Sequence, residues 1–402
     1  MIAFDLALPR KVIFGSGRAD ELAALLPTLG RRVVVGPGRA AELADLVPTL
    51  GRRVLLCTGS DPARHRGLLG DVEPVAVVPV VREPTVDDVR AATEQARAAG
   101  ADAVVAIGGG SPIDLGKVVA ALLGNGTDPL DHLELVGKGV PPAQPSVPFV
   151  AVPTTAGTGS EATANAPLRS PEEGVKTSIR SPHMLPAVAL VDPLLTLGCP
   201  PAVTASSGFD ALTQCLEPYV SPKANPATDA VAADGLRRGA RSLRRAYEHG
   251  DDREAREDMA LCSFFGGVAL ANAKLGAVHG LAGVVGGTVD APHGATCAAL
   301  LAPVFEANVA ALREREPDAP ALRRYTEVAR LLTGRGDATI DDGVAWLHET
   351  VAALSVPPLG AVGLAPEQYP DVAEKAARAS SMQGNPVKLT EEELLAVLRA
   401  AS

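Results

Sequence analysis

Three side chains of the kind that bind transition metals stand out in the second half of the chain: Asp210, His279 and His293. Asp210 and Gln214 are four residues apart in a stretch that reads as helix, so both project from one face. His279 lies in Gly276-Ala277-Val278-His279-Gly280, which reads as near the end of another helix. His293 follows in Pro292-His293-Gly294, across a glycine-rich stretch expected to be loop. One carboxylate and two imidazoles from separate elements can hold a divalent cation and leave a position open for a substrate oxygen. Imidazole donors favour zinc or iron over a hard cation such as magnesium. Spacing alone does not bring the three together, and a buried histidine satisfied by a neighbouring acceptor is the commoner outcome for any one of them.

Two further segments suit phosphate. Gly108-Gly109-Gly110-Ser111-Pro112-Ile113-Asp114 runs from an apolar stretch into a helical one. Glycines let backbone approach a pyrophosphate closely, and a helix N-terminus offers N–H groups and partial positive charge. The spacing is not the GxGxxG of the Rossmann fingerprint, and a plain strand-to-helix turn is the competing reading. Val152-Pro153-Thr154-Thr155-Ala156-Gly157-Thr158-Gly159-Ser160-Glu161 follows another Val-rich run. Its threonine hydroxyls suit phosphate and ribose, or a turn that satisfies its own backbone.

These segments need a frame. The first half alternates strand candidates (54–58, 75–81, 102–107, 147–152) with helix candidates (62–69, 85–99, 111–123). That rhythm predicts a parallel, doubly wound sheet. From residue 204 nearly everything reads as helix, including 226–248, 252–273 and 302–314. The fold class expected is an α/β dinucleotide-binding domain, 1–198, followed by an all-α metal- and substrate-binding domain, 199–402, with the boundary at Gly198-Cys199-Pro200-Pro201. A chain of 402 residues can bury two such cores. Aromatics make up only 3 %, so those cores must be built from Ala, Val and Leu.

A net charge of −10 argues against nucleic acid as a partner but leaves room for a local phosphate pocket. No run of about 18 apolar residues occurs, so no membrane span is expected. The start Met1-Ile2-Ala3-Phe4-Asp5 lacks the basic and apolar regions of a leader, and five scattered cysteines without a CxxC pair read as reduced thiols. Together these predict a cytoplasmic protein. Residues 15–35 and 36–56 form a tandem repeat, identical at 15 of 21 positions. Each copy reads as Gly-X-Gly, an amphipathic helix, a turn and a strand, and two copies are too few for a solenoid.

The ordered set GGGSPIDLGK (108–117), VPTTAGTGSE (152–161), VDP (191–193), GFDALTQCLEPYVS (208–221), AVHGLAG (277–283) and APHG (291–294) resembles the iron-type (group III) alcohol dehydrogenase superfamily. Its branches include alcohol, propanediol and glycerol dehydrogenases, maleylacetate reductase and, further off, dehydroquinate synthase. The resemblance implies hydride transfer between NAD(P)(H) and a small alcohol or its aldehyde or ketone, with a metal-polarised oxygen. It also implies a homo-oligomer, typically a dimer. A metal-free maleylacetate-type reductase and a dehydroquinate-synthase-like lyase that uses NAD transiently are the alternatives.

Carried over by position, the pyrophosphate loop is Gly109, Gly110 and Ser111 with Asp114 in support. Thr154, Thr155 and Thr158 line the cofactor, and Lys176 reaches the nicotinamide ribose. Asp210, His279 and His293 bind the metal and act in catalysis through it. Iron-type members carry histidine where this chain has Gln214, and many carry another where it has Gly283. The resemblance therefore implies a three-ligand site, zinc or iron, with Gln214 beside it. NAD-preferring members also place Asp after the first cofactor strand. If 54–58 is that strand, the position is Gly59, followed by Ser60, with Asp61, Arg64 and Arg66 beyond. Arginine suits a 2′-phosphate, so NADPH is expected to be accepted.

Overall fold

The structure, a computed structural model, describes residues 12–14 and 32–402. Among these residues the chain forms two compact units. One comprises the residues up to Thr155 together with Gly159–Leu197; the other comprises Ala156–Thr158 and Gly198–Ser402.

The first unit is built on a parallel sheet. Its strands are β1 (Val12–Phe14), β2 (Arg32–Val35), β3 (Val54–Thr58), β4 (Ala76–Pro79), β5 (Ala103–Gly108) and β6 (Phe149–Pro153). An antiparallel hairpin, β7 (Asn165–Ser170) and β8 (Val175–Arg180), precedes the last strand, β9 (Val188–Val191). The order across the sheet is β1-β2-β9-β6-β5-β3-β4. From β3 the chain steps outward to β4, then returns to the other side of β3 as β5 and continues to β6. The winding therefore reverses between β3 and β5, where a crevice forms at the carboxyl ends of the strands.

The apolar runs behave as a sheet covered on both faces requires. Leu55, Cys57, Val104, Ala106, Phe149 and Ala151 face one core with the helices α1 (Val86–Ala98) and α2 (Gly110–Asn125). Val54, Leu56, Val105, Ile107, Val150 and Val152 face the other, against Leu43, Leu46 and Leu69. Each fully buried leucine or valine contributes roughly 1.5–3 kcal/mol. At the start of α1, Thr85 and Asp88 form a reciprocal capping box.

Two local expectations change. The helix over 62–69 is replaced by turns and one short 3-10 segment, Arg66–Leu69. Asp61 accepts from the Ala63 N–H (3.0 Å), a side-chain turn that competes with helix, and Gly70 ends the segment at positive φ. In the second repeat copy the single amphipathic helix is a succession of short turns, Arg39–Glu42, Leu43–Leu46 and Val47–Thr49. Pro48 lacks a donor there. The start of the copy is fixed by buried Asp192, which accepts from Gly38 N (3.0 Å) and Ala40 N (2.8 Å). The helix expected in the first copy lies outside the described residues. The two copies' strands, β2 and β3, share the sheet but are separated by β9, β6 and β5.

The second unit is helical: α3 (Pro201–Val220), α4 (Pro226–Glu248), α5 (Arg253–Ala273), α6 (Ala277–Thr288), α7 (His293–Arg315), α8 (Pro320–Thr333), α9 (Ile340–Ala353), α10 (Tyr369–Ala377) and α11 (Glu391–Ala400). With few aromatics, close approach replaces bulk. A Cβ at Gly235 would lie 2.5 Å from Cys215 Sγ, and one at Gly239 would lie 2.5 Å from a Leu212 methyl, so α4 sits tightly on α3. The stretch expected to be a glycine-rich loop is α6, and α7 begins at His293 rather than 302. Tertiary packing overrides the low helix propensity of glycine here: a Cβ at Gly280 would lie 2.9 Å from Met382 Cε. By length and composition α7 could cross a membrane. In this fold it is a core helix, with Leu300, Leu301, Val304 and Phe305 buried.

Candidate active site

In the helical unit α3 carries Asp210, Gln214 and Glu217 at i, i+4 and i+7, one buried face of the helix. The N-terminus of α6 docks on that face. Glu217 Oε1 accepts from Val278 N (2.7 Å) and Oε2 from His279 Nδ1 (2.7 Å), while Asn385 Oδ1 accepts from Ala277 N (3.1 Å). First-turn donors are thereby satisfied, and a carboxylate sits at the positive end of the helix. The approach needs glycine at 276, where a Cβ would be 2.9 Å from Asn385 Oδ1 and 3.0 Å from Glu217 Oε1. His279 is thus the third residue of α6, near a helix end as the sequence suggests, at the N-terminus, where the Glu217 contact caps the helix. His293 opens α7, and a Cβ on neighbouring Gly294 would collide with the Ser206 carbonyl of α3.

These contacts bring Asp210, His279 and His293 together. His279 Nε2 lies 3.3 Å and His293 Nε2 3.9 Å from Asp210 Oδ1, with the rings 5.5 Å apart. Cys297, one turn along α7, completes the group: its Sγ is 3.7 Å from His293 Nε2, and the four ligand atoms all lie within 4.8 Å of one another. Asp210 and Cys297 are buried, and His293, 24 % exposed, is the open edge.

Burial opposes ionisation of Asp210, but the hydrogen bond from His279 and the two imidazoles outweigh it and hold the carboxyl below its usual range. Burial likewise opposes charge on His279, and the Glu217 and Asp210 carboxylates carry it up to about 9. Asp210 Oδ1 is buried and accepts no well-formed hydrogen bond. An oxygen in that position, ringed by two imidazoles and a thiol, fits a cation. Gln214 turns aside. Its Nε2 donates to Gly157 O (3.1 Å), and its buried Oε1 has no hydrogen-bond partner among the described residues.

The other predicted residues gather mainly at the carboxyl edge of the sheet. Thr154 N donates to Gly108 O (2.9 Å), a Cβ at Gly109 would be 3.3 Å from Thr155 Oγ1, and one at Gly108 would be 3.5 Å from Gly59 N. Gly59, Gly109, Thr154 and Thr155 therefore converge at the reversal point between β3 and β5, and Ser60 follows on. Gly110 and Ser111 open α2, whose N-terminus carries no side-chain cap. Thr158 lies in the helical unit.

Asp114 sits beneath this loop, accepting from Ser160 Oγ (2.5 Å); burial pushes its carboxyl up to about 6 against the charge of Lys117. Lys176, on β8, pairs with Glu83 (2.6 Å) and is largely buried, so it is not a solvated surface lysine. Lys117 itself has no counterpart in the sequence reading. It is fully buried and donates to Ser160 O (2.7 Å), Ser160 Oγ (2.9 Å), Thr163 Oγ1 (2.9 Å) and Asn165 O (2.8 Å). Its i,i+3 spacing from Asp114 was the available signal; Cys297, i,i+4 from His293, and Glu217, i,i+3 from Gln214, share a helix face with a predicted residue but look like ordinary core and surface positions.

Glu217 touches His279 and not the open edge, so its role is positioning. Glu217→Gln is expected to weaken zinc binding about 10–100-fold, the usual cost of losing a carboxylate behind a ligating imidazole. A competition titration against a chromophoric chelator measures it, and unchanged affinity would contradict that role.

A two-unit chain with a glycine-rich edge at the reversal of its parallel sheet and an Asp/His/His cluster in its helical half defines a class. Residues 9–193 match the family model of iron-containing alcohol dehydrogenase, and residues 204–402 match that of the Fe-containing alcohol dehydrogenase family, C-terminal. The chain belongs to the iron-containing alcohol dehydrogenase family. It is 37 % identical over 306 residues to 1,3-propanediol dehydrogenase of Klebsiella pneumoniae, covering 75 % of this chain and 76 % of the relative. It is 36 % identical over 320 residues to alcohol dehydrogenase 4 of Saccharomyces cerevisiae, covering 79 % and 80 %. Its fold is similar to the crystal structure of 1,3-propanediol oxidoreductase over the whole of both chains, with a TM-score of 0.85 and 31 % identity.

Proposed function

We propose that the chain interconverts a small alcohol and its aldehyde or ketone with NAD(P)(H), through one divalent cation, iron or zinc, held by Asp210, His279 and His293. The observation that carries this reading is the convergence of those three side chains around a buried, poorly satisfied Asp210 oxygen. We assign 1–198 as the dinucleotide-binding domain and 199–402 as the metal- and substrate-binding domain, acting as a cytoplasmic homodimer.

When bound, the cation supplies Lewis acidity toward the substrate oxygen, and the nicotinamide gives or takes the hydride. The chain does the rest. Gly109, Gly110 and Ser111 offer backbone to the pyrophosphate at the start of α2, and Thr154 and Thr155 offer hydroxyls beside it. Thr158 and Lys176 are assigned to the cofactor's ribose. Asp114 and Lys117 hold the 159–165 segment in place beneath the loop. Glu217 fixes the His279 ring with Nδ1 bonded and Nε2 toward Asp210. A panel of short alcohols and diols, with NAD and NADP in turn, tests the function: nicotinamide reduction with at least one supports it, and none with any contradicts it.

Gly59 and Ser60 bear on cofactor choice. No carboxylate replaces the family Asp at Gly59, where a Cβ would meet open space, and Asp61 is engaged by the Ala63 N–H. Arg66 pairs with the exposed Glu73 (2.7 Å), a weak surface pair that a phosphate can displace. NADPH is therefore expected to be used at least as well as NADH. The ratio of kcat/KM values measures this, and an NADH preference beyond about tenfold, ~1.4 kcal/mol, would overturn it.

A further inference from the structure

We propose that Cys297 is a fourth metal ligand, so that this chain has an Asp210/His279/His293/Cys297 site that selects zinc over iron(II). The inference rests on the metal-site reading above and extends it to a residue outside that set. Three observations carry it. The Cys297 Sγ lies within 4.8 Å of the Asp210, His279 and His293 ligand atoms and 3.7 Å from His293 Nε2. Donor atoms around one tetrahedral zinc, each about 2.0–2.3 Å from it, stand roughly 3.3–3.8 Å apart, a range that includes the thiol–imidazole distance. The buried Asp210 Oδ1 accepts no well-formed hydrogen bond and faces the same group. Gln214, on the α3 face beside Asp210, commits its Nε2 to the Gly157 carbonyl (3.1 Å) and offers only a neutral amide oxygen, a weaker donor than a thiolate.

The placement follows from the helix. His293 and Cys297 are i and i+4 on α7, so one face presents imidazole and thiol together. Four protein ligands are thus reached without Gln214, and a substrate oxygen would add as a fifth donor at the exposed His293 edge. The thiol changes what the site prefers: a thiolate is a soft donor that zinc accepts readily, whereas carboxylate and imidazole alone discriminate less. Burial of Cys297 within the helical core keeps the sulfur from solvent and from disulfide partners; no disulfide occurs among the described residues.

The test loads the purified, metal-stripped full-length protein with cobalt(II) and, separately, with zinc(II). The cobalt form is expected to show an intense near-ultraviolet thiolate-to-metal charge-transfer band, and zinc X-ray absorption is expected to show one sulfur scatterer at about 2.3 Å. Cys297→Ser should abolish the band and weaken zinc binding by about a hundredfold or more, above the cost of losing a residue behind a ligand, with a smaller loss for iron(II). Cys297→Ser combined with Gln214→His should regain zinc affinity without regaining the band. Stoichiometric metal with no thiolate band and only nitrogen and oxygen scatterers would overturn the inference while leaving the three-ligand site standing. Failure of both cobalt and zinc to bind would overturn both. The absorption measurements use the wild-type chain, so they decide the matter even if the serine variant misfolds.

Discussion

Replacing His279 by alanine is expected to lower kcat/KM by about three orders of magnitude or more, with the chain still folded. His279 is the best-fixed member of the cluster: Glu217 holds Nδ1 at 2.7 Å, and Nε2 stands 3.3 Å from Asp210. Its loss removes a ligand and leaves two buried carboxylates, Asp210 and Glu217, without the imidazole between them. Electrophilic stabilisation of a developing alkoxide is worth several kcal/mol, and each 1.36 kcal/mol is a factor of about ten in rate. The fold should survive, because Glu217 keeps its bond from Val278 N and a buried carboxylate left without its partner can take up a proton rather than stay charged. Steady-state kinetics beside a thermal melt separate the two effects. A folded His279→Ala protein within about tenfold of the wild-type rate would mean that the cluster is not the reacting centre.

Lys117→Met is expected to produce the largest loss of stability, about 3–5 kcal/mol, as removal of one member of a buried charged network does. The ammonium is completely buried and bonds four oxygens of the 160–165 segment, with Asp114 Oδ1 at 4.0 Å. Burial pulls the lysine down to about 8 against the opposing charges of Asp114 and Glu161, so the network is held at a desolvation cost. Methionine matches the length of the stem but offers no donor, which leaves Ser160 O, Thr163 Oγ1 and Asn165 O short of a partner. A fall in melting temperature on the order of 10 °C should follow, with weakened nucleotide binding as the 159–163 turn loosens. A variant that melts with the wild type would show that these bonds contribute nothing net.

Much of the frame was legible in the sequence because its signals are local. Val54–Thr58, Ala103–Gly108 and Phe149–Pro153 are apolar runs that only a doubly covered strand explains, and Thr85 and Asp88 announce their helix. What failed locally failed for tertiary reasons. The glycine-rich stretch after His279 is helix because Glu217, sixty residues earlier, caps it and because Met382 needs Gly280 beneath it. The second repeat copy forms no continuous helix, since Asp192, at the end of the strand beside β2, anchors its start. At the site, Asp210, His279 and His293 could be named from residue type and family pattern. Cys297 and Glu217 could not, because a thiol and a carboxylate on apolar helix faces read as core and as surface until the fold brings them beside an imidazole.

On the proposed reading, a divalent cation bound at Asp210, His279 and His293 is what gives this chain its alcohol dehydrogenase activity. The most direct test is elemental analysis and turnover on one preparation, before and after stripping with a chelator and after adding back zinc or iron(II). One metal per chain is expected, with activity lost on stripping and restored on adding the metal back. Full turnover by metal-free protein would contradict this reading.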